Sequence, residues 1–216
     1  AESCFSLAFL PLSPFGLAQR PNRKRGECLT KKNDMTDFEQ SIVSGLDAAM
    51  KRLQTDMRAE LKAQGHNLTG RLSESLEYEI EVQRDTITAV MECEDYGLAI
   101  EFGVPASRIP YTPGGGGGGT SKYIQGLIRF WNLRGVTGRE GVRAAFATAA
   151  KHKREGMPTR SSYAFSSTGA RTGFASTVIE RDLDLIGRIL EERTGLTLEI
   201  VIAPELDKIE PIRIFV

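Results

Sequence analysis

The chain has 216 residues, with 28 basic side chains balancing 28 acidic ones and 40% hydrophobic residues. That composition excludes a disordered polyelectrolyte, a collagen-like repeat and a small disulfide-stapled scaffold, and the zero net charge removes the simplest argument for nucleic acid. No apolar run approaches the roughly 18–20 residues that span a bilayer, and Cys4, Cys28 and Cys93 lack the spacing of a metal or redox motif, which points to thiols in a reducing compartment.

Residues 1–34 differ from the rest. Arg20, Arg23, Lys24, Arg25, Lys31 and Lys32 face only Glu2, Glu27 and Asp34. The apolar stretch before these charges is broken by Pro11 and Pro14, and its order is the reverse of a secretory signal. These residues read as a dispensable, largely unpacked leader, with a domain, and the natural gene product, beginning at Met35. Thr36-Asp37-Phe38-Glu39 is a capping box, in which the Thr hydroxyl and the Glu carboxylate satisfy N–H groups that a helix start leaves unpaired.

From that cap, Phe38, Ile42, Leu46, Met50, Leu53, Met57 and Leu61 recur at steps of three or four, one apolar stripe closed by Gly65. The period then changes to two. Leu76, Tyr78, Ile80 and Val82 alternate with Glu77, Glu79 and Glu81, which predicts a strand with one buried and one acidic face. Arg84 and Asp85 turn the chain into a returning strand over 86–93. Residues 105–120, with Pro110, Pro113 and six consecutive glycines from Gly114, read as a flexible loop. Amphipathic helices are expected over 121–133 and 138–150, a Ser/Thr/Gly-rich loop over 161–173, and a long helix carrying Phe174, Val178, Ile179, Leu183, Ile186 and Leu190 to Gly195. A strand over 196–202 follows, with residues 211–216 as its partner. The fold class is α+β: an antiparallel sheet packed by a long N-terminal and a long C-terminal helix, in one domain over 35–216.

Catalytic chemistry is not legible. In the segment ending Gly119-Thr120-Ser121-Lys122 the hydroxyls precede the lysine, the reverse of a phosphate-binding loop. His66 and His152 have no second ligand at metal spacing, and no nucleophile motif is present. Asn67-Leu68-Thr69 fits a glycosylation pattern common by chance. The reading is therefore no enzyme, no cofactor and no metal. One charge cluster remains: Arg134, Arg139, Arg143, Lys151, Lys153, Arg154, Arg160 and Arg171 against Glu140 and Glu155. It reads equally as a solvated face and as an interface or phosphate contact.

Two segments together carry a resemblance. Leu68-Thr69-Gly70-Arg71-Leu72-Ser73-Glu74-Ser75-Leu76 leads into the hairpin, and Asp95-Tyr96-Gly97-Leu98-Ala99-Ile100-Glu101-Phe102-Gly103 follows it. The pattern resembles the minor tail component, or tail-completion, family of tailed bacteriophages, over residues 35–103 and more weakly to the 174–194 helix. Val104 stands where the family usually has Thr, and Arg160-Ser161-Ser162-Tyr163 replaces its usual Arg-Pro-Phe. The resemblance implies a non-enzymatic virion protein of the head–tail junction (the neck), in the virion and, during assembly, the host cytoplasm. It implies a homo-oligomeric ring that meets head-closure, tail-terminator and tail-tube proteins, with DNA contact open and no membrane.

In the motif itself, Thr69 and Gly70 are expected to make a turn, Arg71 to bridge to a carboxylate such as Glu101, Phe102 to lie in the core and Gly103 to adopt positive φ. Thr69, Gly70, Arg71, Leu72, Ser75, Tyr96, Glu101, Phe102 and Gly103 read as fold maintenance ahead of partner contact. The 105–120 loop and the basic 134–171 stretch are expected to order only on assembly. The alternative function is a nucleic-acid-binding module that uses the basic stretch, with Tyr123, Phe130 and Trp131 as a stacking surface.

Overall fold

The structure, a computed structural model, describes residues 3–9, 36–83, 86–114, 121–195 and 201–203, the first and last of these spans as backbone. Their elements are β1 (Ser3–Phe9), α1 (Asp37–Ala63), α2 (Arg71–Glu74), β2 (Glu77–Gln83), β3 (Thr86–Cys93), α3 (Gly97–Phe102), α4 (Lys122–Leu133), α5 (Gly138–Glu155), α6 (Phe174–Thr194) and β4 (Val201–Ala203). Short 3-10 turns cover Ala106–Arg108 and Arg160–Phe165.

The capping box forms as its residues dictate: Thr36 Oγ1 accepts from the Glu39 amide, and the Thr36 amide donates to Glu39 Oε2 at 2.7 Å. The apolar stripe that follows buries Leu46, Met50, Leu53, Met57 and Leu61 at 1% exposure each. Phe38 does not follow them. It sits in the first turn and is half exposed. β2 and β3 pair antiparallel, with Tyr78 opposite Met91 and Ile80 opposite Ala89, and β3 alternates buried and half-buried positions along its length. The sheet order is β2-β3-β1-β4, all antiparallel.

α1 lies on β2 and β3, and α6 runs antiparallel along α1 and shares its core. Gly45 lets the two helices approach closely: a Cβ there would stand 3.1 Å from Leu190 Cδ2. Phe174, Val178, Ile186 and Leu190 of α6 join Ile87, Ala89 and Met91 of β3 in one apolar cluster. Tyr78 ties sheet to helix by donating to Asp47 Oδ1 at 2.7 Å, and its phenol is pushed up to about 12 by burial and then by that carboxylate. The α+β arrangement expected from the sequence is the one observed.

Four expectations need correction. Ser3–Phe9, read as part of an unpacked leader, is strand β1, paired with β3 from Ser3↔Cys93 to Phe9↔Ile87. Phe5, Leu7 and Phe9 already alternate in the sequence, and the prolines thought to break the stretch lie beyond the strand. The rest of the leader lies outside the described residues. The 105–114 half of the expected flexible loop is held instead: Ile109 is buried and its carbonyl accepts from Lys153 Nζ at 3.1 Å. The 115–120 glycine run lies outside the described residues, as do the 84–85 turn, 196–200 and 204–216. The basic 134–171 stretch is built rather than unstructured, since α5 extends five residues past its expected end and Val104 and Met157 exchange backbone hydrogen bonds at 2.7 and 2.8 Å. Finally, Val82, expected on the buried face of β2, is 43% exposed.

Candidate functional site

The two motif segments, separated by the hairpin, come together at one end of it. Gly70 adopts φ 73° and starts α2 as its N-cap, after the exposed Thr69. A side chain there would be strained, so glycine is what the turn requires. Leu72 is buried, and its Cδ1 would stand 3.2 Å from a Cβ placed on Gly97 of the second segment. Ser75 Oγ donates to the Leu72 carbonyl and accepts from the Glu94 amide at 3.1 Å, which ties the end of α2 to the end of β3. Arg71 pairs with Glu94 Oε1 at 2.6 Å rather than with Glu101, which is buried and engaged by the start of α6. The Arg71–Glu94 pair is exposed to solvent and contributes little to stability. Arg58 and Gln54 of α1, which the sequence did not single out, hold the same junction. Arg58 donates to the carbonyls of Ser73 and Leu76, and Gln54 donates to that of Leu76.

Glu101 and Phe102 exchange the roles expected of them. Phe102 is 55% exposed, whereas Glu101 is 4% exposed. On the six-residue helix α3, successive side chains lie about 100° apart, so only one of the two can face the core. The one that does is the carboxylate, because the start of α6 supplies partners. Glu101 accepts from the amides of Ala175 at 2.8 Å and Ser176 at 3.1 Å and from Ser176 Oγ at 2.6 Å. The local N-cap of α6, Gly173, has no side chain to offer, and its own amide donates to the Glu101 carbonyl. A carboxylate here satisfies free N–H groups and complements the positive end of the helix dipole.

Gly103 has φ 72° as expected, and a Cβ on it would meet the Met157 carbonyl at 2.6 Å. Tyr96 is 40% exposed, its phenol raised above the ordinary value by partial burial and then by Glu94. Cys93 lies beneath Gly97, and burial, with nearby carboxylates, pushes its thiol up to about 11. A buried thiol with a raised pKa holds little thiolate at neutral pH.

A second cluster closes the C-terminal end of α1. Arg171 Nη1 donates to the Gln64 carbonyl, Ser167 donates to that of Ala63 through its amide at 2.8 Å, and His66 Nε2 lies 3.1 Å from the Arg171 carbonyl. Arg171 thereby leaves the basic cluster, its guanidinium drawn half out of water and its pKa lowered by burial and by Arg134. Burial and the Arg171 charge also lower the His66 pKa below the ordinary imidazole value.

The remaining basic residues sort into two sets. Lys151 donates to Ser161 Oγ at 2.6 Å, Lys153 donates to the Ile109 carbonyl, and Arg134 stacks 4.5 Å from the Phe130 centroid and 5.1 Å from that of Phe165. Arg139, Arg143, Arg154 and Arg160 are exposed, and no described carboxylate lies within ion-pair distance of them. The three candidate stacking aromatics are already engaged. Tyr123 Oη lies 2.7 Å from His152 Nδ1, Trp131 Nε1 donates to Thr148 Oγ1 at 3.0 Å, and Phe130 packs edge-on against Trp131. Beside them an open cleft of about 730 Å³ is lined by Leu68, Trp131, Leu133, Arg134, Val136 and Phe165.

Among the described residues no group of three His, Cys, Asp or Glu side chains could hold a metal ion, and no helix is long and apolar enough to cross a membrane. No family model, no curated protein and no solved structure matches the chain.

Proposed function

We propose that the chain is a structural subunit of the head–tail junction of a tailed phage, a minor tail component or tail-completion protein. It works by assembling with copies of itself and with neighbouring neck and tail proteins, not by catalysis. The observation that carries the reading is the convergence of the two motif segments. Leu72 meets Gly97 and Ser75 meets Glu94, while Glu101 reaches from α3 to start α6. Segments that resemble one family in order and spacing thus form one connected unit, as motif residues kept for a fold would. That unit also leaves Tyr96 and Phe102 exposed for contact.

The test is deletion of the coding gene from the phage or prophage that carries it, followed by electron microscopy of the particles. DNA-filled heads and free tails that fail to join, with joining restored by the gene in trans, are expected; normal joined particles would sink the reading. Portal, capsid and tail-tube genes beside it are expected as well. The competing nucleic-acid reading draws on Arg139, Arg143, Arg154 and Arg160, and demands duplex binding by the purified chain with a steep salt dependence.

A further inference from the structure

Two exposed surfaces among the described residues carry opposite charge. On the sheet, α1 covers the side bearing Tyr78, Ile80, Ala89 and Met91, and no described helix lies on the other side. That open side presents Glu77 and Glu79, both exposed, with Glu92 directly opposite Glu77 and Val90 opposite Glu79.

The outer face of α5 has the complementary character. Its inner side is Gly141, Ala145 and Ala149; its outer side carries Arg139, Arg143 and Arg154 with the carboxylate of Glu140 among them, flanked by Val142 at 37% exposure and by Phe146, 39% exposed and tilted against Tyr111 with ring centroids 6.5 Å apart. Arginine enriched at an apolar-flanked face fits a desolvated carboxylate contact. The spacings match: Glu77 and Glu79 lie about 6–7 Å apart along a strand, and Arg139 and Arg143 about 6 Å apart along a helix.

We infer that the open, acidic face of the β2–β3 hairpin of one copy docks on the basic outer face of α5 of the next. Glu77 and Glu79 face Arg143 and Arg139, with Val90 against Phe146 and Val142. Because the two patches differ, the contact is head-to-tail, which generates a ring where the rotation closes. The zero net charge fits this occupant better than DNA, whose phosphates the acidic face would repel. The inference rests on the self-assembling subunit proposed above and names its surfaces.

The full chain serves as the probe, in sedimentation velocity at about 50 mM and about 500 mM salt, which bracket strong and weak screening. Self-association at low salt, weakened about tenfold or more at high salt, is expected. The charge reversals Arg139→Glu with Arg143→Glu, and Glu77→Arg with Glu79→Arg, should each abolish it, with thermal unfolding unchanged because all four residues are exposed. An equimolar mixture of the two reversed proteins should associate again, since each then offers the face the other needs. A chain that stays monomeric at low salt, reversals that associate like the parent, or a mixture that stays monomeric would each overturn the inference. So would binding of a short duplex DNA, lost in the arginine reversal, by a chain that does not self-associate. Failure here with the protein still required for tail joining would leave the proposed function standing on other surfaces. Association as described, with joined tails in the deletion, would do the reverse.

Discussion

Two antiparallel helix pairs in this molecule are joined by different chemistry. α1 and α6 meet through Leu46, Met50, Leu53, Phe174, Val178 and Leu190, all at 1% exposure or less, and share that core with the sheet. α4 and α5 meet through Gly141, Ala145 and Ala149 and through two polar bridges, Tyr123 to His152 and Trp131 to Thr148. The first junction is held by apolar volume removed from water, the second by close approach and hydrogen bonds. The difference teaches where the molecule is rigid: the α4–α5 pair carries the exposed arginines on the less apolar junction, and local opening is drawn from such regions.

The largest expected effect tests the apolar junction. Phe174→Ala should cost about 3–5 kcal/mol in urea unfolding, as truncations of buried Phe do, whereas Phe102→Ala should stay within about 0.5 kcal/mol, as exposed substitutions do. Equal losses would erase the contrast between core and surface aromatics. Next, Glu101→Ala should cost about 1–3 kcal/mol, because it leaves buried amides at the start of α6 without acceptors. Glu101→Gln, which keeps one acceptor oxygen, should fall between it and the parent. A thermal midpoint in Glu101→Ala equal to the parent's would show that water replaces the cap.

Weaker still, Trp131→Phe should cost about 0.5–1.5 kcal/mol through the lost Thr148 bond. Amide exchange should quicken in α4 and α5 and leave α1 unchanged; uniform quickening would mean that the two pairs open as one unit. The smallest effect is on pH. His66 and His152 sit one in each region, both with pKa lowered chiefly by burial. Protons therefore bind the unfolded chain more readily, so the stability is fully present above the ordinary imidazole value and is lost as pH falls through the folded one. His152→Gln should flatten the pH dependence of exchange in α4 and α5 alone, and an unchanged profile there would remove His152 from the account.

Periodicity and local capping were legible in the sequence because both are local. The Thr36–Glu39 box, the stripe from Leu46 to Leu61, the hairpin alternation and the Phe174–Thr194 helix all appear where the spacing puts them. What stayed hidden depends on partners distant in the chain. Nothing near Glu101 announces that its acceptors serve the amides of Ala175 and Ser176, and a Phe beside it is the natural choice for the core. Arg171 reads in the sequence as one more surface charge, because its partner, the Gln64 carbonyl at the end of α1, is distant in the chain. β1 is hidden for a related reason, since its seven residues find their partner strand only beyond α1.

The cap that Glu101 provides also bears on the order of folding. The first turn of a helix is costly to nucleate, and α6 has only a glycine at its own N-cap. Its first turn therefore lacks a side-chain acceptor until α3 has formed and docked. The C-terminal turns, joined to α1 through Leu190, carry no such dependence. In refolding, α6 should gain protection from its C-terminal end first, with the amides of Ala175 and Ser176 closing late. Glu101→Ala would then speed unfolding while leaving the folding rate nearly unchanged, the mark of an interaction absent from the transition state.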